Sequence, residues 1–222
     1  MSLGLRVGQD FVGDPVPRSA KLIDSFVVRD AKKEWPVNGF ENQDPAGLLR
    51  IENKGVAVVA YRSKANPLEL PAPKFEEFLK LEGLDNIAAL RASRGEAGKP
   101  DREQFFRYAK TLLRTGDAKP APIAHLPGFR YDIVPESNPW SAQPLRVRIL
   151  FDGKPAPNML VSAVHRDDAN ARVQSRTDAR GRVTLNLPKD GVWLIKSVYM
   201  IEAPKGSGAD WESLWASLTF ER

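Results

Sequence analysis

Short apolar segments separated by turn residues fill the first third of the chain. They run from Leu3 to Val7, from Leu22 to Val28 and from Val56 to Tyr61. Segments of this length, bounded by Asn, Gly and Pro, are typical of antiparallel β-strands. We therefore predict that residues 1–70 form a first β-sandwich-like domain.

The spacing of the apolar positions changes in the middle of the chain and indicates helices. In KFEEFLKLEG, the apolar residues Phe75, Phe78 and Leu79 recur at helical spacing, and Gly83 stands where a helix would end. The segment LDNIAALRASRG, which ends at Gly95, repeats this plan. The sequence thus predicts two short helices in succession.

The segment DREQFFRYAKTLLRTG, residues 101–116, has the strongest helical pattern in the chain. Its apolar side chains form a wide stripe opposite Arg102, Arg107 and Lys110, as on an amphipathic helix that packs on a core. Together with the two preceding helices, it makes residues 71–118 a predicted three-helix segment.

Strands return after the proline-rich residues 117–128, where we place a domain boundary. Leu145, Val147 and Ile149 alternate with arginine residues, as in a half-buried strand. In GVWLIKSVYMI both faces are apolar, so the helical segment or the first β region should cover its second face. Residues 119–222 are predicted to form a second β-sandwich-like domain, packed with the helices.

The turn TDARG precedes one of these strands and has an architectural role. Asp178 can accept hydrogen bonds from nearby backbone N–H groups, and Gly181 can adopt a positive φ at low cost. We predict that this turn positions strands and does not bind a ligand.

The composition excludes several classes of partner and chemistry. Lys plus Arg exceeds Asp plus Glu by 33 to 28, but the basic residues are scattered, so we expect no nucleic-acid partner. No segment approaches the ~18 to 20 apolar residues of a membrane-spanning helix. The absence of cysteine excludes disulfides and thiolate metal ligands.

Two resemblances follow from these segments. The order of DGKPAPNMLVSAV, TDARGRVTLNL and GVWLIKS resembles transthyretin-like and Cna-B-like β-sandwich modules. The wider chain resembles a bacterial family of exported proteins of unknown function that is associated with periplasmic components of cobalt and nickel uptake systems. KFEEFLKLEGLDNI, FFRYAKTLLRTGD, YDIVPESNPW and ADWESLWASLTFE carry that resemblance. The expected fold is thus mainly β, with two immunoglobulin- or transthyretin-like domains and the helices between them.

The family resemblance also implies a location, partners and a cofactor. It implies a periplasmic protein whose signal peptide has been removed, with a membrane transport component or an envelope protein as partner. Proteins of that family typically carry a histidine-containing segment directly after the signal peptide, which here would precede Leu3. We expect no cofactor on the chain as it stands, and nickel or cobalt only with that segment.

The candidate metal ligands are few. The chain has two histidines, His125 in the proline-rich stretch and His165 near a strand end. His165 with Asp167 and Asp168 offers imidazole and carboxylate groups, which nickel and cobalt accept. The alternative is that this segment, HRDDAN, is a solvated turn.

Aromatic residues crowd the last strands and provide a second candidate site. Trp211 and Trp215, with the carboxylates of Asp210 and Glu212, could form a platform that binds sugar rings or a peptide. The alternative is that these aromatic residues pack in the core, because large rings usually supply buried area.

No catalytic motif is present. The sequence has no G-x-S-x-G, no glycine-rich phosphate loop and no H-E-x-x-H. We therefore predict a non-enzymatic binding or accessory protein, and the family resemblance implies that it is exported and associated with nickel or cobalt uptake. The alternative prediction is a carbohydrate or cell-envelope interaction module that uses the C-terminal tryptophan cluster.

Overall fold

The computed structural model describes residues 1–116, residue 126 and residues 128–222. This described part contains seventeen strands and two helices, α1 (Ala72–Leu81) and α2 (Asp85–Ser93). The strands before the helices are β1 (Ser2–Leu3), β2 (Leu5–Gln9), β3 (Val12–Val16), β4 (Ile23–Arg29), β5 (Glu34–Pro36), β6 (Gly47–Leu48), β7 (Gly55–Ser63) and β8 (Asn66–Leu70). The strands after them are β9 (Asp101–Thr115), β10 (Tyr131–Pro135), β11 (Leu145–Phe151), β12 (Lys154–Pro155), β13 (Leu160–His165), β14 (Asp168–Arg176), β15 (Arg182–Leu185), β16 (Val192–Glu202) and β17 (Trp211–Glu221).

Nine strands of the described chain form one large sheet. Its order is β14-β13-β16-β17-β9-β7-β4-β5, and β8 pairs with the first part of β9. The 15-residue strand β9 lies near the centre, antiparallel to β7 and parallel to β17. The sheet therefore combines strands from residues 1–70 with strands from residues 119–222. The division into two sandwich-like domains stays a prediction.

A smaller sheet covers one face of the large sheet, which we call the front face. In the smaller sheet, β11 pairs with β10 on one side and with β12 and β15 on the other. The core between the two sheets includes the fully buried residues Tyr131, Trp193 and Leu218. Removal of such side chains from water is the main favourable contribution to folding.

Two further cores cover the opposite, back face of the large sheet. At one end, Phe75 and Phe78 of α1 pack on Val198 and Met200 of β16 and on Trp211 of β17. At the other end, β4 and β7 pack against the loops that flank β5 and β6. Strand β16 is thus apolar on both faces because the small sheet covers one face and the helices cover the other.

The first two predicted helices are confirmed. They correspond to α1 and α2, and Gly83 and Gly95 follow their ends with φ values of +66° and +67°. Neither helix of the described residues is long and apolar enough to cross a membrane.

The third predicted helix is wrong, because residues 101–115 form strand β9. Its three expected polar residues do not share one solvated face, and only Arg102 is exposed. Lys110 is buried in an ion pair with Asp132 of β10, and Arg107 is half-buried over the Phe105 ring. A strand covered on both faces carries apolar residues at odd and at even positions, so the spacing of apolar residues alone does not distinguish it from a helix. The three-helix segment is therefore two helices followed by the central strand.

The proline-rich connector, the domain boundary placed in it and His125 lie outside the described residues, which do not include residues 117–125 and 127.

Candidate functional site

A cleft of 610 Å³ lies where the α1–α2 turn meets the loop that precedes β13. One wall extends from Gly83 to Asn86, and the other is formed by residues 154–159. The floor includes Phe151 of β11 and Tyr199 of β16. Small-molecule sites in proteins typically enclose about 300 to 1,000 Å³, so this cleft is the candidate functional site.

The backbone at Gly83 brings the first wall close to the sheet. Gly83 has a φ of +66°, a left-handed conformation that ends α1. A Cβ atom at this position would lie 2.9 Å from the side chain of Leu160, the first residue of β13. Glycine is therefore required by the turn and by the close approach to β13.

Arg176 of β14 joins the two walls of the cleft. Its Nη2 donates to the Gly83 carbonyl oxygen at 3.1 Å and to Asp85 Oδ2 at 2.6 Å, while its Nη1 donates to the Asn158 carbonyl oxygen at 2.8 Å. A planar guanidinium fixes its partners more strictly than an ammonium does. One side chain thus holds the helical turn and the loop at a set distance, and the cleft is preformed.

The floor of the cleft is aromatic. The Tyr199 ring lies 4.7 Å from the Phe151 ring in an edge-to-face pair and 5.7 Å from the Tyr131 ring in a stacked pair. Tyr131 is buried and shares a hydrogen bond of 2.7 Å with Ser197. Tyr199 and Phe151 are only half-buried, so part of each ring faces the cleft.

The loop wall, residues 155–159, offers no free backbone donor. Pro155 and Pro157 have no N–H group. The three remaining N–H groups donate to internal acceptors: Ala156 to the Ile149 carbonyl oxygen, Asn158 to the Thr177 carbonyl oxygen and Met159 to Thr177 Oγ1. A ligand at this wall therefore receives no hydrogen bond from these backbone N–H groups.

Trp211 and Trp215, predicted as a surface platform, lie on the back face beneath α1. Trp211 is 2% exposed and belongs to the core under the helices. Trp215 stacks on Phe78 at 5.3 Å. An exposed aromatic platform does not form here because α1 covers both rings, which corresponds to the alternative of core packing.

The two carboxylates predicted to flank this platform point to different places. Asp210 accepts hydrogen bonds from Arg102 Nε at 3.2 Å and Nη2 at 3.1 Å at the surface. Glu212 faces the front side, where Arg130 Nη1 donates to its Oε2 at 2.9 Å. Strand alternation separates Glu212 from the two tryptophans, so the four predicted residues do not share one surface.

His165, Asp167 and Asp168 are close in space, but each is engaged within the protein. His165 Nε2 donates to the Asp190 carbonyl oxygen at 2.9 Å, and its Nδ1 accepts from the Asp167 N–H at 3.2 Å. The Asp167 carboxylate accepts two hydrogen bonds from its neighbour Arg166, and Asp168 pairs with the Lys189 ammonium. Both imidazole nitrogens are used, so the residues present do not fit a nickel or cobalt ion. Within the described ranges, no three His, Cys, Asp or Glu side chains are arranged to hold a metal ion.

A buried carboxylate lies beside Trp215 on the back face. Trp215 Nε1 donates to Ser213 Oγ at 3.0 Å, and the Ser213 hydroxyl donates to Glu103 Oε1 at 2.9 Å. Glu103 is 3% exposed, and its Oε2 is buried without a hydrogen bond. Burial raises the pKa of Glu103 above its usual range, although Ser213 and Arg107 act in the opposite direction.

This raised pKa predicts a pH-dependent stability. A carboxyl whose pKa is higher in the folded state stabilises the fold below its unfolded pKa of about 4.3, and that contribution is lost as the pH rises through the folded value. Glutamine does not titrate and keeps its contribution at every pH. The stability of Glu103→Gln relative to the unmodified protein should therefore increase as the pH is raised from about 4 to about 7. Urea unfolding at both pH values measures this difference. Glu77→Gln, on the exposed side of α1, is the control and should show no such trend; the same trend in both variants would contradict the assignment to Glu103.

Sequence reasoning did not select the cleft. Its key residues Asn86, Asn158, Arg176 and Tyr199 lie far apart in the chain, and no local motif links them. The contacts of Arg176 with the α1–α2 turn span about ninety residues of sequence, which no periodicity reveals.

Fold and cleft define a mainly β protein in which a four-stranded sheet packs on a nine-stranded sheet beside a preformed cleft. The chain belongs to the family described as "Domain of unknown function (DUF4198)", whose family model matches residues 1–201. Comparison with curated proteins and with solved structures gives no match. Membership of a family of unknown function is thus confirmed, while the association with cobalt and nickel uptake and the likeness of the C-terminal part to transthyretin-like modules stay predictions.

Proposed function

We propose that this protein is a non-enzymatic binding protein of the bacterial periplasm and that it binds its ligand in the cleft between the α1–α2 turn and residues 154–159. The observation that carries this proposal is the clamp of Arg176, which spans both walls and sets the width of the cleft without a ligand. Preorganisation of this kind reduces the entropy lost on binding.

The lining of the cleft supports binding rather than structural packing alone. The half-buried rings of Phe151 and Tyr199 provide apolar contact area at the floor. Exposed polar side chains, among them Asn86 and Lys154, surround it. An apolar floor with a few polar groups at the rim is the usual composition of a ligand site.

The periplasmic location and the envelope or transport partner rest on the sequence resemblance. So does the association with nickel or cobalt, and the engaged residues around His165 add no support to it. The carbohydrate alternative is favoured over the metal alternative because the cleft supplies aromatic and amide groups.

Blocking the cleft tests the proposal. Asn86 is exposed at the second position of α2 and lines the cleft, so Asn86→Trp should fill it without disturbing the core. Ala89 is exposed on the same helix and does not line the cleft, which makes Ala89→Trp the matched control. The probes are a library of sugars, amino acids, short peptides and inorganic anions, followed by amide chemical shifts in NMR spectra.

We expect at least one probe to shift cleft resonances saturably in the unmodified protein and in Ala89→Trp, and to bind about tenfold more weakly to Asn86→Trp. If no probe shifts these resonances, or if both tryptophan variants bind equally well, the cleft is not the binding site.

A further inference from the structure

The formal charges of the residues that line the cleft are balanced. Two carboxylates, Asp85 and Asp152, and two cations, Lys154 and Arg176, belong to the lining. Asp85 pairs with Arg176, and Asp152 lies 3.4 Å from the Nε of Arg130. The cleft therefore has no net charge to attract an ionic ligand.

The start of α2 does not change this balance. A helix N-terminus favours anions because its N–H groups and dipole carry partial positive charge. Here Asp85, the first residue of α2, already places a carboxylate at that end. An anionic ligand would meet this carboxylate at the rim.

The walls also disfavour a peptide that binds as an added strand. Strand addition requires a row of free backbone N–H and C=O groups. The N–H groups of residues 155–159 are either absent or bonded internally. Hydrogen-bond donors for a ligand at this wall must therefore come from side chains.

Apart from the exposed ammonium of Lys154, the unused polar groups of the cleft are neutral. The side-chain amides of Asn86 and Asn158 and the hydroxyl of Tyr199 make no hydrogen bond within the described part of the chain. An amide both donates and accepts hydrogen bonds, as a phenol hydroxyl does. These groups lie around the partly exposed rings of Phe151 and Tyr199.

We propose that the ligand of the cleft is a neutral saccharide. Sugar hydroxyls both donate and accept hydrogen bonds and match the amides of Asn86 and Asn158, while the C–H face of a sugar ring packs on an aromatic ring such as that of Tyr199. The cleft is large enough for a short oligosaccharide. This inference rests on the proposed function, because it assigns a ligand class to the same cleft.

Titration with neutral oligosaccharides tests the ligand class. The probes are maltotetraose, cellotetraose and chitotetraose, with tetra-alanine and inorganic phosphate as representatives of the other classes. Binding is measured by amide chemical shifts and by calorimetry on the complete chain.

Substitutions at Tyr199 test whether its ring and its hydroxyl contact the saccharide. Tyr199→Leu removes the ring and should weaken saccharide binding about tenfold, whereas Tyr199→Phe keeps the ring and should weaken it about threefold. Tyr61→Leu is the matched control, because Tyr61 is also half-buried and also has an edge-to-face ring partner, Phe26. If Tyr199→Leu does not fold, Asn86→Ala replaces it, because Asn86 is exposed and its side chain makes no hydrogen bond within the described residues.

Saturable binding of a neutral saccharide that is weakened in Tyr199→Leu or Asn86→Ala and unchanged in Tyr61→Leu supports the inference. If tetra-alanine or phosphate binds the cleft and none of the saccharides does, the ligand class is wrong and the proposed function stands. If saccharides bind equally well to every variant, they bind elsewhere and the inference fails. If none of these five probes binds the cleft, the inference fails, and the proposed function is decided by the wider probe library.

Discussion

Replacement of Lys110 by alanine is expected to lower the free energy of unfolding by about 3 kcal/mol. Lys110 of β9 and Asp132 of β10 form an ion pair between the two sheets, and both side chains are almost fully buried. Burial lowers the pKa of Lys110, and the charge of Asp132 opposes that shift. Replacement by alanine leaves the buried Asp132 carboxylate without this cation. That change lowers the free energy of unfolding far more than the loss of a surface ion pair does.

Urea unfolding followed by circular dichroism measures this effect. Lys74→Ala is the control, because Lys74 is exposed on α1 and should change stability by less than about 0.5 kcal/mol. The double replacement Lys110→Met with Asp132→Asn removes both charges and keeps an acceptor for the Leu126 N–H, which donates to Asp132 Oδ2 at 3.1 Å. We expect it to be more stable than Lys110→Ala. Equal stability of Lys110→Ala and Lys74→Ala would show that the buried pair is not formed.

Replacement of Gly181 by alanine is expected to cost about 2 to 4 kcal/mol. Gly181 has a φ of +71°, as the sequence predicted for this turn. A Cβ atom here would also lie 2.6 Å from the Ile149 carbonyl oxygen and 2.9 Å from the Ala156 nitrogen. Both contacts are with backbone atoms, which cannot rotate away as a side chain can.

The predicted role of Asp178 is also confirmed, because its Oδ1 accepts hydrogen bonds from the N–H groups of residues 180 and 182.

Gly95→Ala separates the cost of a side chain at positive φ from the cost of the close backbone contacts. Gly95 has a similar φ of +67°, but a Cβ atom there would meet nothing within 4 Å. We expect this control to lose only about 1 kcal/mol, the cost of the left-handed conformation. Urea unfolding of both variants gives the difference between their free energies of unfolding, provided that the two m values are equal. If both variants lose the same amount, the backbone contacts of Gly181 do not matter.

The C-terminal turns and strands were predictable because their signals are local. Alternation in β11 and the two apolar faces of β16 are properties of a few adjacent residues, and a turn that needs a positive φ needs a glycine within it. The helices α1 and α2 were predictable for the same reason, because apolar residues at helical spacing and the glycines after the helix ends are also local signals. In each case the neighbouring structure agreed with the local preference.

The candidate sites were less predictable because burial is a property of the whole fold. Trp211 and Trp215 have the composition of a binding platform, but α1 covers them. His165 has the chemistry of a metal ligand, but its two nitrogens are used by the backbone of residues 167 and 190. Nothing near these residues in the sequence indicates those partners.

By itself, the sequence determined the β-rich class, the two short helices and the turn at Gly181, because propensity and glycine conformation act over a few residues. Only the tertiary structure decided that residues 101–115 form the central strand, because their hydrogen bonds go to β7, β8 and β17 and Asp132 accompanies Lys110 into the core. It also decided the position of the cleft. Arg176 reaches Asp85 across ninety-one residues of chain, and a contact at that separation exists only once the sheets have packed.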